Sequence, residues 1–273
     1  QRSLFRQALE CFENAIGMLP NQANLKLDID GIVDLYASAA ECAKICARYD
    51  LVERYCEILL NLSCPTLHKI RAYCILVDAA VADDTQNQNG RSISTTLDPV
   101  QLCLSALSQL GCNITQKNTL RQRILIRQEK HKLRRTAHAW GTRFVDQLRS
   151  VANSKRESAI IILLDKLITV SRRYDPDLTP FAISKSVKLT LESGIASFSP
   201  PAFAMQGLLL TRSSTDLQLA KKFGQGALYM FHRLGRQNEA ESRTINLVHN
   251  SLMHWVFPLE GTKQAFVNGY NIG

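Results

Sequence analysis

The residues that could do chemistry are few, and each is tested by its spacing. Gly224-Gln225-Gly226 is the only Gly-x-Gly in the chain. A phosphate-cradling loop needs a third glycine and a strand-to-helix turn, so that backbone N–H groups can converge on the anion. Here the third glycine is missing and the surrounding periodicity is helical, which points to close helix packing instead. No Gly-x4-Gly-Lys-Ser/Thr occurs, so this stretch offers no nucleotide site. His249 and His254 lie five apart, whereas two metal ligands on one helix face need a spacing of four, and no His-Glu-x-x-His exists. No serine sits in a Gly-x-Ser-x-Gly elbow. The eight cysteines (11, 42, 46, 56, 64, 74, 103 and 112) contain no Cys-x-x-Cys. Cys42 and Cys46 fall one above the other on a helix, but the set reads as small reduced apolar residues of a reducing compartment. The expectation is a segment without catalytic residues, metal or cofactor, in the cytoplasm.

The one surface feature with binding chemistry is basic. Between Lys117 and Arg135 eight Lys or Arg face a single acid, Glu129. Arg121, Arg127, Lys130, Lys132, Arg134 and Arg135 form a possible interaction surface. Only Trp140 and Phe144 follow as stacking groups, few for a single-strand platform. The first reading is a solvated face, or one matched to an acidic neighbouring domain. An RNA-binding helical repeat using residues 117–135 is the alternative, and nucleic acid is not the expected partner. The whole chain carries a formal net charge of +9 over 273 residues. It begins at Gln1 without Met and stops in a half-finished helical pattern, which reads as a piece of something longer.

The elements that must position these groups are helical. Gly and Pro are scarce, with 13 and 8 residues, and alternating Val/Ile/Thr runs are rare. Apolar residues at helical spacing predict helices over 2–17, from about 30 to 47, over 51–62, and from a first turn holding Pro65 to about Asp83. Asp28 or Asp30, and then Asp50, are the expected N-caps of the second and third. Residues 84–96 lack pattern and read as a loop. Asp98-Pro99 starts a helix that Gly111 stops. Further helices follow over 154–174, from Thr179-Pro180 to Gly194, over 199–212, 215–235 and 239–257. Small residues at Ala204 and Gly207, and at Ala220, Gly224 and Ala227, mark helix–helix contacts, and Trp255 anchors a helix end. No apolar run is long enough to span a bilayer.

About a dozen helices in pairs of 30–45 residues have the period of a helical solenoid. With Gly207 set at the eighth position of a tetratricopeptide repeat, Ala220 and Ala227 fall one residue from the second-helix small positions. Ala40 is the eighth residue of a more degenerate pair over 28–62. The expected fold is all-α, a right-handed α-α superhelix of tetratricopeptide-like (TPR-like) antiparallel pairs. Its parts are 1–117 with a loop at 84–97, a basic helical connector over 118–152, and further pairs over 153–273.

A narrower resemblance rests on Ala204–Leu210 (AMQGLLL), Phe223–Leu228, His254-Trp255, Pro258-Leu259, Ala265–Gly273 and the helix end Leu102–Ile114. These resemble the helical region of large multidomain signalling ATPases of the STAND type, in which kinase, P-loop, GAF and histidine-kinase domains share one chain. The resemblance implies a non-catalytic scaffold for protein–protein or interdomain contact in signal transduction.

Overall fold

The computed structural model describes residues 2–19, 29–87, 98–114, 154–211 and 217–234, together with single positions at 124, 128, 131, 135, 244 and 248. All nine regular elements among the described residues are α-helices. The chain divides into two compact units, Gln1–Ile114 and Thr115–Gly273. None of the described helices is long and apolar enough to cross a membrane.

The first unit holds α1 (Arg2–Gly17), α2 (Ile29–Ile45), α3 (Tyr49–Asn61), α4 (Thr66–Asn87) and α5 (Pro99–Gln109). Each packs on the next, and α2 also packs on α4. The core is a continuous cluster drawn from α1 to α4: Leu9, Val33, Ala37, Ala40, Val52, Cys56, Leu59, Ala72, Ile75 and Leu76 are all buried. Alanines at 37, 39, 40 and 43 have no exposed surface, so α2 presents a small-residue face that lets its neighbours approach.

Local chemistry sets the ends. Asp98 Oδ1 accepts from the Val100 N–H at 2.8 Å, with Pro99 in the first turn, as its residue type predicts. Gly111 adopts φ 76°, and the N–H groups of Gly111 and Cys112 return to the carbonyls of Ser108 and Leu107 at 2.9 and 2.8 Å. The same closing pattern ends α2, but there the left-handed residue is Ala47 at φ 58°. Ala47 and Arg48 donate to Lys44 and Ala43 at 3.0 and 2.9 Å.

Three expectations shift. Asp50 does not cap α3: the helix begins at Tyr49, and the Asp50 carboxylate instead grips the Arg48 guanidinium at 3.1 and 3.0 Å. A charged partner two residues away out-competes the cap. Asp30 likewise lies inside the first turn of α2, and Asp28 lies outside the described residues. Helix α4 runs four residues past Asp83, to Asn87, into the stretch expected to be loop. Extending a helix costs far less than starting one, so polar residues can ride on the buried turns before them.

The second unit holds α6 (Lys155–Tyr174), α7 (Thr179–Ser193), α8 (Ser199–Leu210) and α9 (Leu217–Leu234). Consecutive helices again pack together, and α6 also touches α8. Ser154 caps α6, its Oγ accepting from the Glu157 N–H at 3.4 Å. Helix α8 is buried from Ser199 to Gly207 and again at Leu210. A helix with no polar face has to be covered on all sides. Its rings interlock with α9, where Phe203 and Phe223 sit 5.5 Å apart at 52°. Gly194, at φ 106°, closes α7 in a region almost reserved for glycine.

Candidate interaction surface

The most organised polar surface among the described residues is the shared edge of α2 and α4. The two helices are separated by α3 in the chain yet pack directly. At one end His68 Nδ1 meets Asp30 Oδ1 at 2.9 Å. In the middle, Arg71 Nε and Nη2 donate to Glu41 at 2.9 and 2.8 Å, a two-pronged grip. Arg71 also reaches Ser38 Oγ at 3.3 Å and Asp34 at 3.4 Å. Farther along, Lys44 Nζ reaches Asp78 at 3.2 Å. The Arg71 guanidinium holds the Glu41 carboxyl below the ordinary glutamate range, against the opposing push of partial burial. Side chains of Asp30 and Asp34 remain 79% and 76% exposed, so much of their charge faces water.

Four carboxylates on this edge outnumber Lys44, Arg71 and His68. The edge is therefore mildly acidic even with its pairs made. Sequence reasoning missed it, although a signal existed. Residues 30, 34, 38 and 41 fall on one face of α2, and 68, 71 and 78 on one face of α4. What the sequence lacked was the pairing of two non-consecutive helices.

In the second unit the joints between helices are closed by buried hydroxyls. At the α7–α8 corner the Ala196 N–H donates to Ser199 Oγ at 3.0 Å, Ser199 and Thr190 hydroxyls meet at 2.8 Å, and Thr190 Oγ1 donates to the Ser186 carbonyl at 3.0 Å. The donors at both ends fix the direction of the middle bond, from Ser199 to Thr190. The α6–α7 corner uses Ser171 and Thr179, 2.9 Å apart. Neither corner has the layout of a nucleophile and base, because every hydroxyl proton is directed to a hydroxyl or backbone oxygen.

Residues singled out in the sequence divide cleanly. Ala204 and Gly207 on α8, and Ala220, Gly224 and Ala227 on α9, are all buried, and these two helices form the most extensively packed pair described. Gly224 and Gly226 lie in the interior of α9 with Gln225 exposed between them, so no loop exists there to hold a phosphate. Arg135 is exposed and helical, as are Ile124, Gln128 and His131. Arg121, Arg127, Lys130, Lys132, Arg134 and Trp255 lie outside the described residues, as do His249 and His254. All eight cysteines are free thiols. Burial pushes the Cys56 thiol up to about 12, which keeps it protonated and unreactive. No group of three His, Cys, Asp or Glu among the described residues could hold a metal ion.

Comparison with protein-family models, with curated proteins and with solved structures gives no match to this chain.

Proposed function

We propose that the chain is a non-catalytic helical-repeat scaffold, each unit a stack of TPR-like pairs in a right-handed superhelix, that mediates protein–protein or interdomain contact. The observation that carries this reading is a packing rule repeated in both units. Helix α2 meets α3 and α4, and α3 meets α4; likewise α6 meets α7 and α8, and α7 meets α8. A helix that touches its next two successors is the contact pattern of stacked pairs, in which no pair buries its own apolar face alone. The largely buried AMQGLLL segment and the small residues of α9 support the further proposal that the array is of the kind found in cytoplasmic signalling ATPases.

On this reading α2 and α4 line the face that receives a partner. Exposed Asp30 and Asp34 favour a segment carrying Lys or Arg, and the Arg71 cluster keeps the two helices in register. A photo-crosslinking residue placed at Asp34, compared with one at exposed Arg54 on α3, tests it. Discrete protein adducts from position 34 and none from position 54 are expected. Equal labelling from both positions removes α2–α4 as the receiving face.

A further inference from the structure

The division into units separates the charge. Residues 1–114 contain 9 Lys or Arg against 13 Asp or Glu, a net of −4. Residues 115–273 contain 24 against 11, a net of +13. The overall +9 therefore conceals one mildly acidic unit and one strongly basic unit. The surplus is not confined to one run: 14 of the 24 bases lie beyond residue 150. They include exposed Lys155, Arg156, Arg172, Arg173 and Arg233.

Two aromatic rings accompany these bases, Tyr174 exposed and Tyr229 half-buried. At the C-terminal end of α6 the Arg173 guanidinium lies 5.5 Å from the ring centroid of Tyr174, which is 38% exposed and stands beside exposed Arg172. On α9 Arg233 lies 5.7 Å from the ring of Tyr229. A partly exposed ring beside guanidinium groups is a surface on which a base can stack while its phosphates meet cations. Asp175 and Asp177 follow in the turn, so the attraction of this end comes from the unit's whole field and not from a local excess.

An anionic membrane would ask for exposed aliphatic groups beside the bases. Those lie elsewhere: Leu4, Phe5, Met18, Ile29, Ile45 and Leu67 belong to the acidic unit, and of the large apolar residues exposed among the described positions only Ile124 and Tyr174 belong to the basic one.

We infer that the Thr115–Gly273 unit binds single-stranded nucleic acid, with Tyr174 and Arg173 at the end of α6 stacking a base while Arg172 and other Lys and Arg of the unit neutralise phosphates. This adds a second ligand class to the scaffold proposed above and does not depend on α2 and α4 receiving a protein.

The test is fluorescence anisotropy on the full chain, with labelled oligo(U) and oligo(dT) of about 30 nucleotides, from about 50 to 300 mM NaCl. Micromolar or tighter binding is expected at the low end, with log K falling linearly against log salt at a slope of about −3 or steeper, the release expected for about four or more phosphate contacts. Tyr174→Ala is expected to weaken binding at least about five-fold with the slope unchanged, and Tyr174→Trp to retain it. Arg172→Gln is expected to make the slope shallower by about 0.7. Preference for oligo(U) or for oligo(dT) identifies which sugar the unit takes, and either supports the inference. No binding at about 50 mM salt overturns it. So does tighter binding to phosphatidylserine vesicles than to both oligonucleotides. Binding that Tyr174→Ala and Tyr174→Trp leave equal to the parent is attraction to any polyanion, and overturns the stacking site. Circular dichroism of each variant checks that the helices persist.

Discussion

Buried hydroxyls at the corners of the second unit set a sharp contrast between neighbouring serines. Ser199 is fully buried, accepts from the Ala196 N–H and donates to Thr190, so it closes a chain that joins the end of α7 to the start of α8. Removing it leaves the Ala196 N–H stranded away from water and deprives Thr190 Oγ1 of its donor. Ser199→Ala is expected to cost about 1–3 kcal/mol. Ser186 is equally buried, yet its Oγ has no hydrogen-bond partner among the described residues. Ser186→Ala therefore removes an unmet polar group and is expected to be neutral or stabilising by up to about 1 kcal/mol. Urea unfolding of the two variants beside the parent measures both, and equal losses would show that the Ser199 chain contributes no more than packing. The sequence places these serines on helices, but only the folded corner distinguishes the bonded one from the orphan.

Helix ends show how one local contact can override another. Asp98-Pro99, Ser154 with Glu157, Gly111 and Gly194 punctuate helices as their residue types predict, because a cap needs only its own neighbours. Asp50 departs from that pattern once its carboxylate is taken by Arg48. Ala47 departs in another way: α2 closes through a left-handed residue that carries a Cβ. A left-handed L-residue costs about 1–2 kcal/mol, partly offset for glycine by its greater freedom when unfolded. Ala47→Gly is thus expected to stabilise the first unit by about 0.5–1 kcal/mol, read as a raised melting temperature. A lowered one would mean that the closing turn does not hold Ala47 at positive φ in solution.

Across the molecule, the two units resist unfolding with different chemistry. The first knits α2 to α4 with opposite charges on a slightly acidic body, whereas the second joins its helices with neutral hydroxyls on a body of net +13. Self-repulsion of like charge is relieved by salt, and solvent-exposed ion pairs are weakened by it. Raising NaCl from about 20 to 500 mM is expected to slow amide exchange in α6 to α8 while leaving that of α2 and α4 unchanged or faster. Hydrogen–deuterium exchange resolved by peptide checks this, and a uniform response of both units would show that their charge balance has no bearing on stability.

The amino-acid sequence by itself determined the helical class, most helix ends and the absence of a nucleotide loop at Gly224-Gln225-Gly226. Each follows from periodicity or from a cap that reads only a few residues. It also carried the charge, but not where to divide it: +9 averaged along one chain looks like an ordinary solvated surface, and the unit boundary alone turns it into −4 and +13. The edge of α2 and α4 was beyond sequence reasoning for the same reason. Asp34, Glu41 and Arg71 are separated by 30 residues or more across the pair, and nothing local says which non-consecutive helices will touch. That choice is made by packing, when the alanine face of α2 is buried against its neighbours and the polar flanks are carried into contact.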